Sequence, residues 1–277
     1  MNNTYIILLL VSVVCSSYGP PNCNLYKQDQ NCYQACLLAE KAITYNQGED
    51  KSQQYFDKSI ALCSTFDYSY YEKAVPFAKR GMIREWKEMI DVAVKINPRE
   101  HLRTRGWYHF FFMHHYEAAI KDIDEVSQLF KGNDIGYTGD GTYHLNIIKA
   151  LCYKKMGRTN KAIETILTQI SNENHQFGVY DHLHLGVLYL ENKEYQLAIE
   201  KLDIQRDFSD DCEVYFYKAL AYKGLKMMHE YKINLDLAKA YYLKEKTMEN
   251  NYRQMIDEIF LADIENELVL SQKEINN

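Results

Sequence analysis

The chain has 277 residues, 47% of them hydrophobic and 25% charged, with 24 Tyr and only four Pro. These are the proportions of a folded globular protein, and the scarcity of proline suits helices. The formal net charge of −6, with no run of Lys and Arg interleaved with aromatics, argues against a nucleic-acid binder, which needs a basic footprint.

Taken from the start, Tyr5 to Val14 form an apolar run too short for a bilayer span, which takes about 20 residues. Cys15, Ser16, Ser17 and Gly19 follow, then Pro20 and Pro21. Although no Lys or Arg precedes the run, the stretch 1–19 reads as an export signal, with a buried N-terminal helix as the alternative. Cys15 adds a lipoprotein alternative that would tie the chain to a membrane, although Val13 and Val14 fit such processing poorly. The next segment, 20–32, is marked by cysteine. Cys23, Cys32, Cys36 and Cys63 crowd the N-terminal part, and in an oxidising compartment they are expected to form disulfides, with Cys36–Cys63 or Cys23–Cys32 as candidate pairs. Cys32 and Cys36 without a second pair make a weak zinc signal. Cys152 and Cys212 read as small core residues.

The rest of the chain is periodic. Between Tyr143 and Ile170, Ile147, Ala150, Leu151 and Tyr153 share one helical face, Gly157 ends that helix, and Ala162, Ile163, Ile166 and Ile170 begin another. Residues three and four apart meet on a helix, so this is a helical hairpin. Its contact position recurs at Glu40, Ala74, Trp107, Ala150, Gly186 and Ala219. A bulky position three residues later recurs at Ile43, Phe77, Phe110, Tyr153, Tyr189 and Tyr222, and the second helices carry Phe56, Ile90, Ile123, Ile166, Leu202 and Leu235. Three columns in one register are not accidental. Leu185-Gly186 with Tyr189, Tyr195 and Ala198, and Ala74, Phe77, Gly81, Ala93 and Asn97-Pro98, resemble the tetratricopeptide-repeat family. Ala150, Tyr153, Gly157 and Ala162, and Tyr116-Glu117 with Ala119-Ile120, carry the same resemblance. It implies an all-α, right-handed superhelical solenoid of about six helix–turn–helix repeats over 33–241. A C-terminal capping helix and tail are expected over 242–277, where Met248, Tyr252, Met255, Ile256, Ile259, Phe260 and Ile264 recur at helical spacing. Pro76 is expected to bend its helix. The insertion 131–142 holds four glycines and reads as a structured loop rather than a calcium or phosphate site, since it matches neither motif.

Signs of chemistry are few. His114 and His115 are adjacent and His182 and His184 two apart, so neither pair shares a ligand face. No nucleophile motif is present, and Asp122/Asp124 and Asp210/Asp211 read as solvated charge. No metal, cofactor or catalytic residue is expected. In the resembled family the first helices line a concave groove for an extended peptide or a partner's helix. Carried over, the groove falls on Tyr68, Tyr71, His101, Tyr108, Phe112, His144, Ile147, Lys154, Lys155, Tyr180, Leu183, Glu191, Phe216 and Lys223. Some of these are expected to pack between helices instead. The Lys–Asn set with which chaperone-binding members clamp a terminal carboxylate has no match. With its export signal, the array looks like exported tetratricopeptide proteins of the Bacteroidetes type. A non-catalytic protein- or peptide-binding module of the periplasm or cell surface is expected. The alternatives are a scaffold in envelope assembly anchored through Cys15, and an immunity-like protein that neutralises a toxin.

Overall fold

The computed structural model describes residues 19–173, 175–176, 178–248 and 253–275, with side chains through 272. The export signal, Cys15 and Tyr252 lie outside the described residues. A short 3-10 turn, Cys23–Tyr26, leads into α1 (Gln30–Ala42), α2 (Asp50–Leu62), α3 (Asp67–Lys79), α4 (Ile83–Ile96), α5 (Pro98–Phe111), α6 (Tyr116–Phe130) and α7 (Leu145–Lys155). There follow α8 (Thr159–Ile170), α9 (Asp181–Glu191), α10 (Tyr195–Gln205), α11 (Cys212–Gly224), α12 (Met228–Tyr242) and α13 (Leu261–Ile275). Among the described residues there is no strand, only one isolated antiparallel bridge between Tyr137 and His144.

Among the described residues the fold is all-α and built of helical repeats: six helix pairs followed by a thirteenth helix. The chain forms two compact units, Met1–His101 and Leu102–Asn277, with the division inside α5. In the first, α1 packs on α2 and α3 on α4. In the second, α7 packs on α8, α9 on α10 and α11 on α12; α9 touches both α7 and α11, and α13 lies on α12.

The columns seen in the sequence explain the pairing. Phe56, Ile90, Ile123, Ile166, Leu202 and Leu235 are all buried, and each such side chain stabilises the fold by roughly 1.5–3 kcal/mol. Five of the six first helices are followed by a left-handed residue at the same offset: Gly81, His114, Gly157, Lys193 and Lys226, each seven beyond its column position. Two of these are glycine, for which that backbone is free; the others carry side chains that disfavour it. At Gly186 the constraint is space: an added Cβ would stand 2.7 Å from Leu202 Cγ and 3.3 Å from the Ala198 carbonyl. Glycine therefore lets α9 lie against α10.

Three expectations need correction. In the third repeat Trp107 is not the small contact residue. That role falls to Gly106, whose added Cβ would lie 3.2 Å from Asp122 Cβ, and Trp107 is left half-buried. In the first repeat Glu40 is half-buried while its neighbour Ala39 is fully covered. The C-terminal part is not one long helix. α12 stops at Tyr242 and α13 begins only at Leu261, and the described residues 243–248 and 253–260 between them are not helical. Adjacent apolar pairs, Met255-Ile256 and Ile259-Phe260, give no single stripe for a helix to bury. Pro76, by contrast, is accommodated: α3 runs through it to Lys79.

The four N-terminal cysteines do pair, but as Cys23–Cys36 and Cys32–Cys63 rather than Cys36–Cys63 or Cys23–Cys32. Cys63 caps the end of α2, which returns alongside α1 and so arrives near the beginning of α1, at Cys32. Cys36, one turn further along α1, meets Cys23 from the preceding 3-10 turn. The Cys32–Cys63 bond closes a separation of 31 residues. Replacing both cysteines by serine is expected to lower stability by about 3 kcal/mol, read as a lower urea midpoint; an unchanged midpoint would contradict the pairing.

Candidate functional site

The first helices carry the candidate residues, and each unit presents its own set. In the first unit, Tyr68 is half-buried and its hydroxyl donates to the Gly19 carbonyl at 3.3 Å. Tyr71 and His101 are buried, their rings stacked 5.3 Å apart. His101 Nε2 lies 2.7 Å from Asp67 Oδ2, to which Asn97 Nδ2 also donates. Burial pushes the Asp67 carboxyl up, but the His101 and Asn97 contacts outweigh it and hold the group below its usual range. Beside them Glu72 is buried, and burial pushes its carboxyl up to about 7.

In the second unit most of the candidate residues are covered. Tyr108, His144, Ile147, Leu183 and Phe216 are buried, Phe112 and Tyr180 half-buried, and only Lys155 and Glu191 exposed. His144 is a helix cap: its Nδ1 accepts the Asn146 N–H and its Nε2 faces Asp134 at 2.7 Å. Burial holds its pKa below the usual value against the pull of Asp134. Ile147 and Leu183 belong to the core.

The cover over Lys154 and Lys223 is the chain's own C-terminal part. Residues 253–260 form a strap that runs across the first helices before α13 begins. Arg253 Nη2 donates to Asp140 Oδ2 at 2.8 Å, and its guanidinium lies 4.1 Å from the Phe111 ring centroid and 5.3 Å from that of Trp107. Four residues on, Asp257 takes a hydrogen bond from Lys154 Nζ on α7 at 2.6 Å, and His184 Nδ1 on α9 lies 2.7 Å from its other oxygen. Tyr217 of α11 donates its hydroxyl to the Asp257 carbonyl at 3.0 Å. Lys154 also reaches Glu191, at 3.1 Å. Ile259 and Ile264 then enter the core between α11 and α12, and Lys223 meets Glu267 of α13 at 3.0 Å. Burial alone would raise the Asp257 carboxyl, but Lys154 and His184 outweigh it and hold it at about 2.

The insertion belongs to the same face. Asp140 accepts from Thr138 Oγ1 at 2.6 Å and from the Thr142 amide at 3.1 Å, which fixes the carboxylate that Arg253 meets. It is thus an ordered loop. Among the described residues no group of three His, Cys, Asp or Glu could hold a metal ion.

Arg253 and Asp257 lie within the stretch expected to form a capping helix; the structure instead buries both side chains in the strap, to 5% and 8% exposure. Sequence reasoning also passed over Tyr143, Tyr217 and His184 as partners. No local pattern marks them, because the match between α7, α9 and the strap is tertiary.

A second tether holds the approach to the strap. The buried Glu213 carboxylate, in the first turn of α11, accepts the Met248 amide at 3.2 Å. Burial pushes its pKa up to about 7. A carboxyl whose folded pKa exceeds its unfolded value favours folding less as it ionises, so stability falls as pH rises from about 4.5 through about 7. Glu213→Gln removes this titration. Its stability relative to the parent is expected to improve by roughly 2 kcal/mol between pH 5 and pH 8 in urea unfolding; a difference independent of pH would contradict the assignment.

No family model matches the sequence, and no curated relative does. Solved structures resemble the fold. PilF of Pseudomonas aeruginosa superposes with a TM-score of 0.58 at 14% identity over 77% of this chain and 94% of its own. PilW, a type IV pilus biogenesis factor, gives 0.59 at 12% identity over 76% and 94%. A tetratricopeptide repeat protein from Parabacteroides merdae gives 0.52 at 13% identity over 90% of this chain and 88% of its own. The recurring columns, the left-handed residue that follows five of the first helices and these superpositions agree. The chain has the fold of the tetratricopeptide-repeat proteins.

Proposed function

We propose that the chain is a non-catalytic polypeptide-binding module that works outside the cytoplasm. The observation that carries the first half is the strap: the face made by α7, α9 and α11 already holds an irregular piece of polypeptide through side chains. Lys154, His184 and Tyr217 seize one residue of it from three consecutive first helices. A surface that grips one segment this way is suited to others, and tyrosine-rich faces give large contact area at low entropic cost. Export is supported by the apolar run at Tyr5 to Val14 and by two disulfides, which persist in oxidising compartments. Lipidation of Cys15, with anchoring to a membrane, is an alternative form of the same reading, as are a role in envelope assembly and toxin neutralisation.

The test is recovery of the tagged full-length chain from its native host with chemically cross-linked partners. The expected result is a chain beginning near Gly19, found in the envelope or medium, with a bound polypeptide that slows amide exchange in α7, α9 and α11. Protection confined to the second helices would overturn the choice of face. A chain that begins at Met1 in the cytosol would overturn export.

A further inference from the structure

The strap differs from an ordinary piece of core in how it is held. Its shape is local: Met255 and Glu258 close a turn in which the Met255 amide meets Glu258 Oε2 at 2.8 Å and Asp257 adopts φ 66°. The hydrogen bonds that Arg253 and Asp257 make to the first helices and the 131–142 loop pass through side chains of Asp140, Lys154, His184 and Tyr217. Removing the strap would leave the helices' backbone hydrogen bonds unbroken. The charges are also matched in order. A cation at 253 meets Asp140 and the Phe111 ring, a carboxylate at 257 meets Lys154 and His184, and a branched aliphatic residue at 259 enters an apolar slot lined by α11 and α12.

We propose that residues 253–260 are an internal ligand of the second unit, and that the external partner docks by displacing them with a segment of the same charge order. That segment carries Arg or Lys, then Asp or Glu four residues on, then an aliphatic residue two further. This rests on the reading of α7, α9 and α11 as a polypeptide-binding face and adds the partner's chemistry and the step that opens the site. A buried ion pair suits such a role. Its Coulombic gain is largely offset by desolvation, so exchanging one Asp-bearing segment for another costs little, whereas a neutral segment would leave Lys154 with the half-exposed Glu191 carboxylate alone. The tether gives the internal copy an effective concentration of about 1 mM, so an external segment must bind well or be presented by a larger surface.

The probe is the acetylated, amidated and fluorescein-labelled octapeptide corresponding to residues 253–260, titrated into the full chain. In Asp257→Lys, the internal segment loses its carboxylate and places a like charge against Lys154. Binding of the probe is expected at least tenfold tighter to Asp257→Lys than to the parent. It should weaken at least tenfold when the probe's own Asp is changed to Asn, or when Lys154→Ala is added to Asp257→Lys. Arg253→Glu, which sets two carboxylates together at Asp140, is a second way to release the strap and should bind the probe more tightly than the parent.

The inference is overturned if helical, cooperatively folded Asp257→Lys binds the probe no better than the parent, or if the Asn probe binds equally well. It is also overturned if neither variant folds, since the strap is then an obligatory part of the core. A parent chain that is dimeric, with strap amides protected only in the dimer, would assign the segment to a second copy instead. The two readings separate cleanly. A recovered partner that binds parent and Asp257→Lys alike, without competition from the probe, leaves the binding face standing and removes the strap's role. The absence of any partner on α7, α9 and α11 removes the face itself.

Discussion

The Asp257 carboxylate, gripped by Lys154 of α7 and His184 of α9, is the contact on which the second unit's arrangement turns. Each of these groups is nearly out of water, and a buried charge left alone costs several kcal/mol. The three must therefore be brought together or all re-exposed. Their union fixes the course of the strap, which in turn decides what the first helices present. Tyr143 extends the cluster, its hydroxyl 3.3 Å from His184 Nε2. Met248, ahead of the strap, and Ile259, near its end, are buried as well.

The repeats supply the platform for that contact. Every hairpin buries the aliphatic or aromatic column residue of its second helix, and small residues at Ala74, Ala150, Gly186 and Ala219 let paired helices close. Because α9 touches both α7 and α11, side chains of three consecutive first helices converge, and that is how Lys154, His184 and Tyr217 come to surround one residue. In the first unit the equivalent region holds Tyr71 stacked on His101 and a buried Glu72, with two disulfides tying the helices beneath. The two units use different means to the same end: covalent closure in one, an ion-paired segment in the other.

The repeat columns were legible because each needs a particular size of side chain at a fixed spacing, and spacing survives in a sequence. The misplacement at Trp107 has a simple cause: Gly106 and Trp107 are neighbours, and pattern alone does not say which one faces α6. The cysteines were recognisable as a set, but their partners depend on where α2 ends relative to α1. The strap was not legible. No glycine or proline interrupts it, its paired apolar residues fit a helix poorly without excluding one, and the partner of its Asp257, Lys154, lies some hundred positions away. Groove residues such as Ile147 and Leu183 were placed on an open surface because the pattern locates a helix face without revealing what covers it.

Docking of the strap is read most directly from the Asp257 carboxyl group itself, through its carbon-13 chemical shift followed from pH 7 down to pH 1.5 in the full chain. Held by Lys154 and His184, it should stay ionised through pH 3 and titrate near 2. Titration at the ordinary carboxylate value, about 3.9, would put Asp257 in open water and contradict a docked strap.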